Sequence, residues 1–264
     1  MSSLGRDPLD PDLVERLRAA GARVDQRFDP FAAYAALFAA EGEGATLEDR
    51  FALEAASLGV PQNALPDVAR RRAMEDFYGH RWSGFEIVGT EARNDPIRVV
   101  PYDGRWPAIF SMWSERIASQ LGEVALRIEH VGSTAVLGLA AKPIVDIQVS
   151  VAELEDEDGY VPGLALAGVN LRSRDSAHRY FRPPPAEPRT VHVHVCESGG
   201  TWEREHLLFR DYLRAHDDVR DAYARLKAEL AATSSADRLA YGEGKGPFIR
   251  SAMAAAEAWI STGR

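Results

Sequence analysis

One stretch, Arg127 to Val149 (RIEHVGSTAVLGLAAKPIVDIQV), limits the folds open to this chain more than any other. Val124 to His130 reads as a strand, Gly132 and Ser133 as a turn, and Pro143 to Val149 as an apolar strand carrying one carboxylate, Asp146. A glycine has no Cβ, so its backbone can press close to a ligand, and neighbouring N–H groups at such a turn form an anion-binding concavity. Twelve residues separate Ser133 from Asp146, enough for a connection that returns the chain to the same sheet and sets the acid near the turn. A phosphate cradle beside a carboxylate is the minimum for holding a metal nucleotide. An acid in a strand built for burial needs a metal, a cation or donors; Asp146 is therefore read either as a metal ligand or as the partner of Lys142 or an arginine.

The segment resembles the nucleotidyltransferase superfamily pattern, a Gly-Ser pair followed by hydrophobic-Asp-hydrophobic-Asp/Glu, and in wording it closely resembles the GrpB family within that superfamily. The matching pieces are VVPYDGRWPAIF, RIEHVGSTAVLGLAAKPIVDIQV, VHVHV, LLFRDYLRAH, YARLKAEL and YGEGKGPFI, in order from Val99 to Ile249. The resemblance implies a nucleotidyltransferase-like α/β fold, in a family some of whose members are fused to dephospho-CoA kinase. One position departs. The superfamily's second carboxylate falls on Gln148, and an amide holds a divalent ion much less tightly. The superfamily's third carboxylate comes from a neighbouring strand, whose place Thr190 to Val195 fits best, so that His192 or His194 would stand in its stead. Imidazole is a poor ligand for Mg²⁺ and would suit Mn²⁺, phosphate contact or proton transfer better.

Composition narrows the setting. The 264 residues are 45% hydrophobic and 27% charged, an ordinary globular balance, and allow one large domain or two modest ones. A net charge of −9 argues against a general nucleic-acid or anionic-membrane surface, since both need a basic footprint. Cys196 is the only cysteine, which excludes an internal disulfide and fits a reducing cytoplasm. MSSLGRDPLDPD shows no signal-peptide pattern, and the longest apolar run, Phe31 to Ala40, is half of the ~20 residues a membrane span requires. A cytoplasmic location is expected.

The first 95 residues are expected to form an α-helical extension, with helices at about 11–20, 30–40, 46–58 and 66–78. Prolines 11, 30 and 66 sit at their starts and glycines 21, 42, 59 and 79 at their ends. The Arg70–Arg72 run is read as a solvated face. Trp82 to Gly89 suggests a short strand, and Thr90 to Pro96 a boundary. From residue 96 to 264 the pattern becomes a mixed α/β (α+β) domain. Strands are expected at Ile97–Val100, Val169–Ser173, His178–Arg182 and Thr190–Val195. A helix carries Ile109, Phe110, Trp113, Ile117 and Leu121 on one face, and amphipathic helices lie at Trp202–His216, Asp217–Ala232 and about 246–261, with a restart near Ser234. The acidic run Glu153 to Asp158 reads as a solvated linker.

Beyond Asp146, Gly132 and Ser133 would cradle phosphate through backbone N–H groups and a hydroxyl. His192 and His194 alternate on one strand and share a face with Cys196; a zinc site is weighed, but three ligands from one strand rarely close a tetrahedron. Phosphates also need cations, and Lys142, Arg179, Arg182, Arg210, Lys227 and Lys245 lie in or near the matched pieces. Lys142 and Lys245 are preferred, the latter because YGEGKG opens a helix whose N-terminus favours an anion. The run H-V-G-S-T lacks the nucleophile elbow of a serine hydrolase, and no Walker A loop or G-x-G-x-x-G occurs.

The expected fold is a nucleotidyltransferase-like mixed sheet flanked by helices. The expected activity is metal-dependent nucleotidyl transfer from ATP or another nucleoside triphosphate to a small-molecule acceptor, with Mg²⁺ or Mn²⁺. Asp146 with His194 would bind the metal, His192 or His194 would handle a proton, and Gly132, Ser133, Lys142, Arg210 and Lys245 would hold the nucleotide. A non-catalytic nucleotide-binding module and an ATP-dependent ligase on the same fold are the rivals.

Overall fold

The computed structural model describes residues 9–23, 28–88, 96–233 and 238–262, and the chain divides into two units, Met1–Ile87 and Val88–Arg264. The division lies upstream of the boundary expected within Thr90–Pro96, of which residues 90–95 lie outside the described residues.

In the first unit, proline and capping chemistry set the helix starts. α1 (Pro11–Ala19) and α2 (Pro30–Glu41) begin on prolines, with Asp10 and Asp29 accepting the N–H two residues on. α3 (Leu47–Leu58) opens on a reciprocal capping box of Thr46 and Asp49 and ends at Gly59 in the left-handed region. α4 (Asp67–Arg81) runs through Gly79, which was expected to end it; one glycine costs about 1 kcal/mol, less than the burial of Phe77 alone supplies. A short strand, β1 (Glu86–Ile87), follows. The arginine run of α4 is only in part the solvated face expected: Arg72 stays half exposed, yet Arg70 donates to the Gln62 and Leu65 carbonyls, Arg71 to that of Ile87, and Arg72 to buried Glu54.

In the second unit α5 (Trp106–Leu121) buries Trp113, Ile117 and Leu121. Ile97–Val100 does not form the strand expected; Val100 makes one isolated bridge to Ala141, because Pro96 and Pro101 flank the segment and remove the donors a ladder needs. The sheet is built from β2 (Arg127–Val131), β3 (Val145–Val151), β4 (Asn170–Arg174), β5 (His178–Arg182) and β6 (Val191–Glu197). Within this unit their order is β4-β5-β6-β3-β2, with β3 and β6 parallel and the other neighbours antiparallel. α6 (Glu157–Leu166) precedes β4, and its acidic lead-in is partly tied down, Glu155 and Glu157 both pairing with Arg179. α7 (Thr201–Ala215), α8 (Asp217–Thr233), α9 (Arg238–Glu243) and α10 (Gly246–Ser261) complete the chain; the restart expected near Ser234 falls at residues 234–237, outside the described residues.

Strand alternation gives the sheet two unlike faces. Ile147, Val149, Val193, Val195 and Phe181 join Trp113, Ile117 and Leu164 in the main apolar core. The opposite face carries Asp146, Gln148 and Ser150 from β3 beside His192, His194 and Cys196 from β6, in register. α7 is tied to this polar face by Ser150 Oγ donating to Glu203 Oε1 at 2.5 Å. Among the described residues no helix is long and apolar enough to cross a membrane.

Candidate functional site

β2 ends at Val131, directly opposite Asp146 in the antiparallel register, so the chain leaves the sheet beside the acid. Gly132 then adopts φ +68°, and a Cβ built there would lie 2.5 Å from Asp146 Oδ2. Only glycine satisfies both the backbone angle and the close approach. Ser133–Ala135 continue as a single 3₁₀ turn. The turn and the acid, twelve residues apart in sequence, therefore share one spot. Gly132→Ala is expected to cost about 2 kcal/mol from the left-handed backbone alone, lowering the melting temperature by roughly 4–8 °C, and to displace the Asp146 carboxylate; an unchanged melting curve would show that the approach is looser than described.

Asp146 is held but not sealed. Its side chain keeps 30% exposure, and its Oδ1 lies 3.1 Å from His192 Nδ1 and 3.8 Å from His194 Nε2. Arg189 Nε, which can only donate, lies 2.8 Å from His192 Nε2. His192 Nε2 must therefore accept, and the ring carries its proton on Nδ1 and donates it to Asp146. Burial pushes His192 down to about 4, outweighing the upward pull of Asp146. Burial also opposes charge on Asp146, but the hydrogen bonds and positive ends of the two imidazoles prevail and hold its carboxyl below the ordinary range. At neutral pH the pair is an ionised carboxylate oriented by a neutral imidazole.

His194 differs from its neighbour. Its Nε2 faces Asp146 while its buried Nδ1 has no hydrogen-bond partner, and the ring packs against both His178 and Trp202 at centroid distances of 5.7 and 5.3 Å, those two rings being stacked on each other at 5.1 Å. Gln148, opposite His194 in the register, is fully buried with neither Oε1 nor Nε2 partnered. Asp146, His192 and His194 form the one group among the described residues whose side-chain atoms converge closely enough to hold a metal ion. One carboxylate with imidazoles fits a divalent ion of mixed oxygen and nitrogen preference; it is a poor cage for Mg²⁺ alone.

Positive charge gathers on the other side of the turn. Lys227 of α8, 3% exposed, donates to Ser133 Oγ at 2.9 Å and to the Ala140 carbonyl at 2.6 Å, bracketing the loop. Lys142 and Lys245 both lie over the Tyr241 ring, 5.0 and 5.1 Å from its centroid. Burial, then repulsion by Lys245 and Lys142 against the pull of Asp146, brings Lys227 down to about 7. Burial also lowers Lys245, with Asp146 opposing. Lysines kept from full solvation beside a glycine turn are chemically suited to receive an anion.

Of the residues singled out from the sequence, Asp146, His192, His194, Gly132 and Ser133 come together, while Lys142 and Lys245 share the Tyr241 ring and lie near enough to Lys227 for their charge to lower it. Arg210 is committed elsewhere, to Glu129 at 2.7 Å, Asp211 at 2.8 Å and the His130 carbonyl at 3.0 Å. Cys196 is buried further along the same face of β6, and its sulfur is not among the atoms that converge with the two histidines, so the His-His-Cys set is not assembled. Lys227 was named among the cations but not preferred. Its place in line with Val219 and Tyr223, four residues apart on one helical stripe, was the signal that it points inward. Arg189 was missed, since nothing in PPPAEPRT marks its one arginine as turning back toward the sheet rather than into solvent.

Comparison with known proteins agrees with this architecture. Residues 96–255 match the family described as GrpB protein. UPF0157 protein BH1888 of Halalkalibacterium halodurans is 40% identical over 168 residues, covering 62% of this chain and 85% of that one. UPF0157 protein SCO7215 of Streptomyces coelicolor is 43% identical over 164 residues, covering 62% and 86%. A dephospho-CoA kinase of Mycolicibacterium paratuberculosis is 32% identical over 197 residues, 64% of this chain but 48% of that protein. The crystal structure of conserved protein GrpB from Enterococcus faecalis superposes with a TM-score of 0.55 at 33% identity, covering 61% of this chain and 99% of that one. The helical unit up to Ile87 lies outside the family match, and on the strength of the remainder this chain belongs to the GrpB family.

Proposed function

We propose that the second unit is a metal-dependent nucleotidyltransferase, using ATP or another nucleoside triphosphate on a small-molecule acceptor. The observation that carries this reading is the contact of the Gly132 backbone with the Asp146 carboxylate, with three lysines on the far side of the same turn. A triphosphate needs both halves: a carboxylate for its divalent ion and cations for its remaining charge. Gly132 and Ser133 would present backbone N–H groups and a hydroxyl to phosphate oxygens, and Lys142, Lys227 and Lys245 would neutralise charge developing on the leaving pyrophosphate. Asp146 and His194 would hold the metal, Mn²⁺ or Mg²⁺, which when bound supplies Lewis acidity at the phosphate. His192 keeps Asp146 oriented, and Arg189 keeps His192 in the tautomer that does so. Arg210, pinned by two carboxylates, has no part in nucleotide binding here.

Gln148 favours a second reading, a nucleotide-binding module without turnover, because two-metal chemistry wants at least two carboxylates. The kinship with a dephospho-CoA kinase adds a nucleotide-handling relative, although this chain has no Walker A loop. Product analysis separates the possibilities. With α-labelled triphosphates, Mn²⁺ or Mg²⁺ and a pool of small-molecule acceptors, pyrophosphate release with label transferred to an acceptor is expected. Binding without release would favour the module, and formation of a new amide bond would favour an ATP-dependent ligase.

A further inference from the structure

We infer that the polar face of the sheet holds one divalent ion of the Mn²⁺ to Zn²⁺ series, in preference to Mg²⁺, through Asp146, His194 and Gln148. This rests on the reading of Asp146 as a metal ligand and adds which ion it selects. Three buried polar atoms on this face lack partners: Gln148 Oε1, Gln148 Nε2 and His194 Nδ1. Gln148 is 0% exposed and stands next to His194 in the parallel register, one step along β3 from Asp146 on the same face. Leaving a buried amide unpaired costs about 1–3 kcal/mol, so the unpaired amide of Gln148 beside an ionised carboxylate marks a place for something polar; an ion held by His194 would sit on Nε2, the atom that faces Asp146, and leave Nδ1 as it is.

The donor chemistry says what. Mg²⁺ asks for near-octahedral oxygen and keeps its waters, whereas imidazole nitrogen suits the later first-row ions. One carboxylate oxygen, one carboxamide oxygen and one imidazole nitrogen lie between the two classes. His192 is excluded as a ligand by its own hydrogen bonds: with Arg189 donating to Nε2, the proton sits on Nδ1, the atom that would have to bind the ion. It serves instead as the donor that fixes the carboxylate, as outer partners of metal ligands commonly do. Neighbouring donors around an ion with bonds of about 2.1 Å lie roughly 3.0–3.4 Å apart, so Asp146 Oδ1 and His194 Nε2, 3.8 Å apart, would close by a few tenths of an ångström to share one. The substitution of Gln for the superfamily's second acid then reads as a change of ion.

The test is a metal titration of the full chain, stripped with chelator, using Co²⁺, Mn²⁺ and Mg²⁺ separately, followed by Co²⁺ visible absorption and by thermal shift. Co²⁺ is expected to give a ligand-field band characteristic of nitrogen and oxygen ligation, and Co²⁺ and Mn²⁺ to bind at least about 100-fold more tightly than Mg²⁺. His194→Gln, which retains a polar side chain of similar reach, should lose the band and weaken Co²⁺ binding about 100-fold with an unchanged far-ultraviolet spectrum. Gln148→Glu should narrow the preference by raising Mg²⁺ affinity. Equal affinity for Mg²⁺ and Co²⁺, or a Co²⁺ band that survives in His194→Gln, overturns the inference. So does a silent titration in which Gln148→Leu stabilises the protein, since the gap would then hold ordinary water. Triphosphate turnover with Mg²⁺ and no Co²⁺ band would sink this inference alone and leave the transferase reading standing.

Discussion

Asp146→Asn is expected to lower metal-dependent turnover by about a thousandfold while the protein stays folded. The two side chains have the same shape, and the asparagine Oδ1 can still accept the His192 Nδ1 proton across the 3.1 Å separation. What disappears is the charge. Without it the metal loses its only anionic ligand among the three residues that converge there, and a metal's stabilisation of phosphoryl charge amounts to several kcal/mol, of which about 4 corresponds to a factor of a thousand. The stability cost is modest: a charge-assisted hydrogen bond becomes a neutral one, about 1 kcal/mol, or roughly 2–4 °C in melting temperature. Turnover of the purified variant, measured beside its far-ultraviolet spectrum and melting curve, separates the two effects. A folded variant that turns over at the parental rate would end the catalytic assignment of Asp146.

Lys227→Met is expected to weaken triphosphate binding by about 10- to 100-fold, the worth of one charge-assisted hydrogen bond of about 1.5–3 kcal/mol. The pH dependence follows from its environment. In the free protein Lys227 titrates at about 7, so it is charged at pH 6 and mostly neutral at pH 8.5. An anion binds the charged form better; the apparent affinity should therefore fall as pH rises through this window, by up to about tenfold per unit where one proton is linked. Lys227→Met should flatten the profile at the low-affinity end, and Lys227→Arg, charged throughout, should flatten it at the high end. Stability moves the other way. Because the folded value lies below the ordinary 10.5 of lysine, the unfolded chain binds more protons between the two values, and this group makes stability increase with pH from about 7 to 10.5. A gain in stability below pH 7 when Lys227 is replaced by methionine, alongside lost affinity, would identify a residue kept for binding at the expense of the fold. Parallel affinity profiles in parent and variant would remove Lys227 from the site.

Much of the site was legible because it is local. Gly132, Ser133 and Asp146 lie within one hairpin-like excursion, and period-two alternation places both histidines on one side of their strand. The pairing of β6 alongside β3, which brings His192 opposite Asp146, was anticipated only as the place of a missing third acid. What could not be read are partners that arrive from far along the chain. Lys227 reaches Ser133 across 94 residues, and Trp202 stacks on His194 only because α7 folds back over the polar face. Arg210 shows the reverse: a cation in a matched segment that Glu129 and Asp211 claim first, a competition that spacing alone cannot weigh. The helices of the first unit were legible from their prolines and caps, yet the arginines of α4 hydrogen-bond back onto the unit, to the carbonyls of Gln62, Leu65 and Ile87 and to Glu54, which Arg50 also holds, and spacing does not show such partners.

The most direct measurement is a crystal structure of the full chain soaked with a nonhydrolysable nucleoside triphosphate and Mn²⁺, with data collected at the manganese edge. An anomalous peak at Asp146, with phosphate density against the Gly132–Ser133 backbone and within reach of Lys227, is the expected result. Ordered nucleotide bound elsewhere on the unit, with Asp146 still satisfied by His192 alone and no manganese beside it, would contradict the assignment.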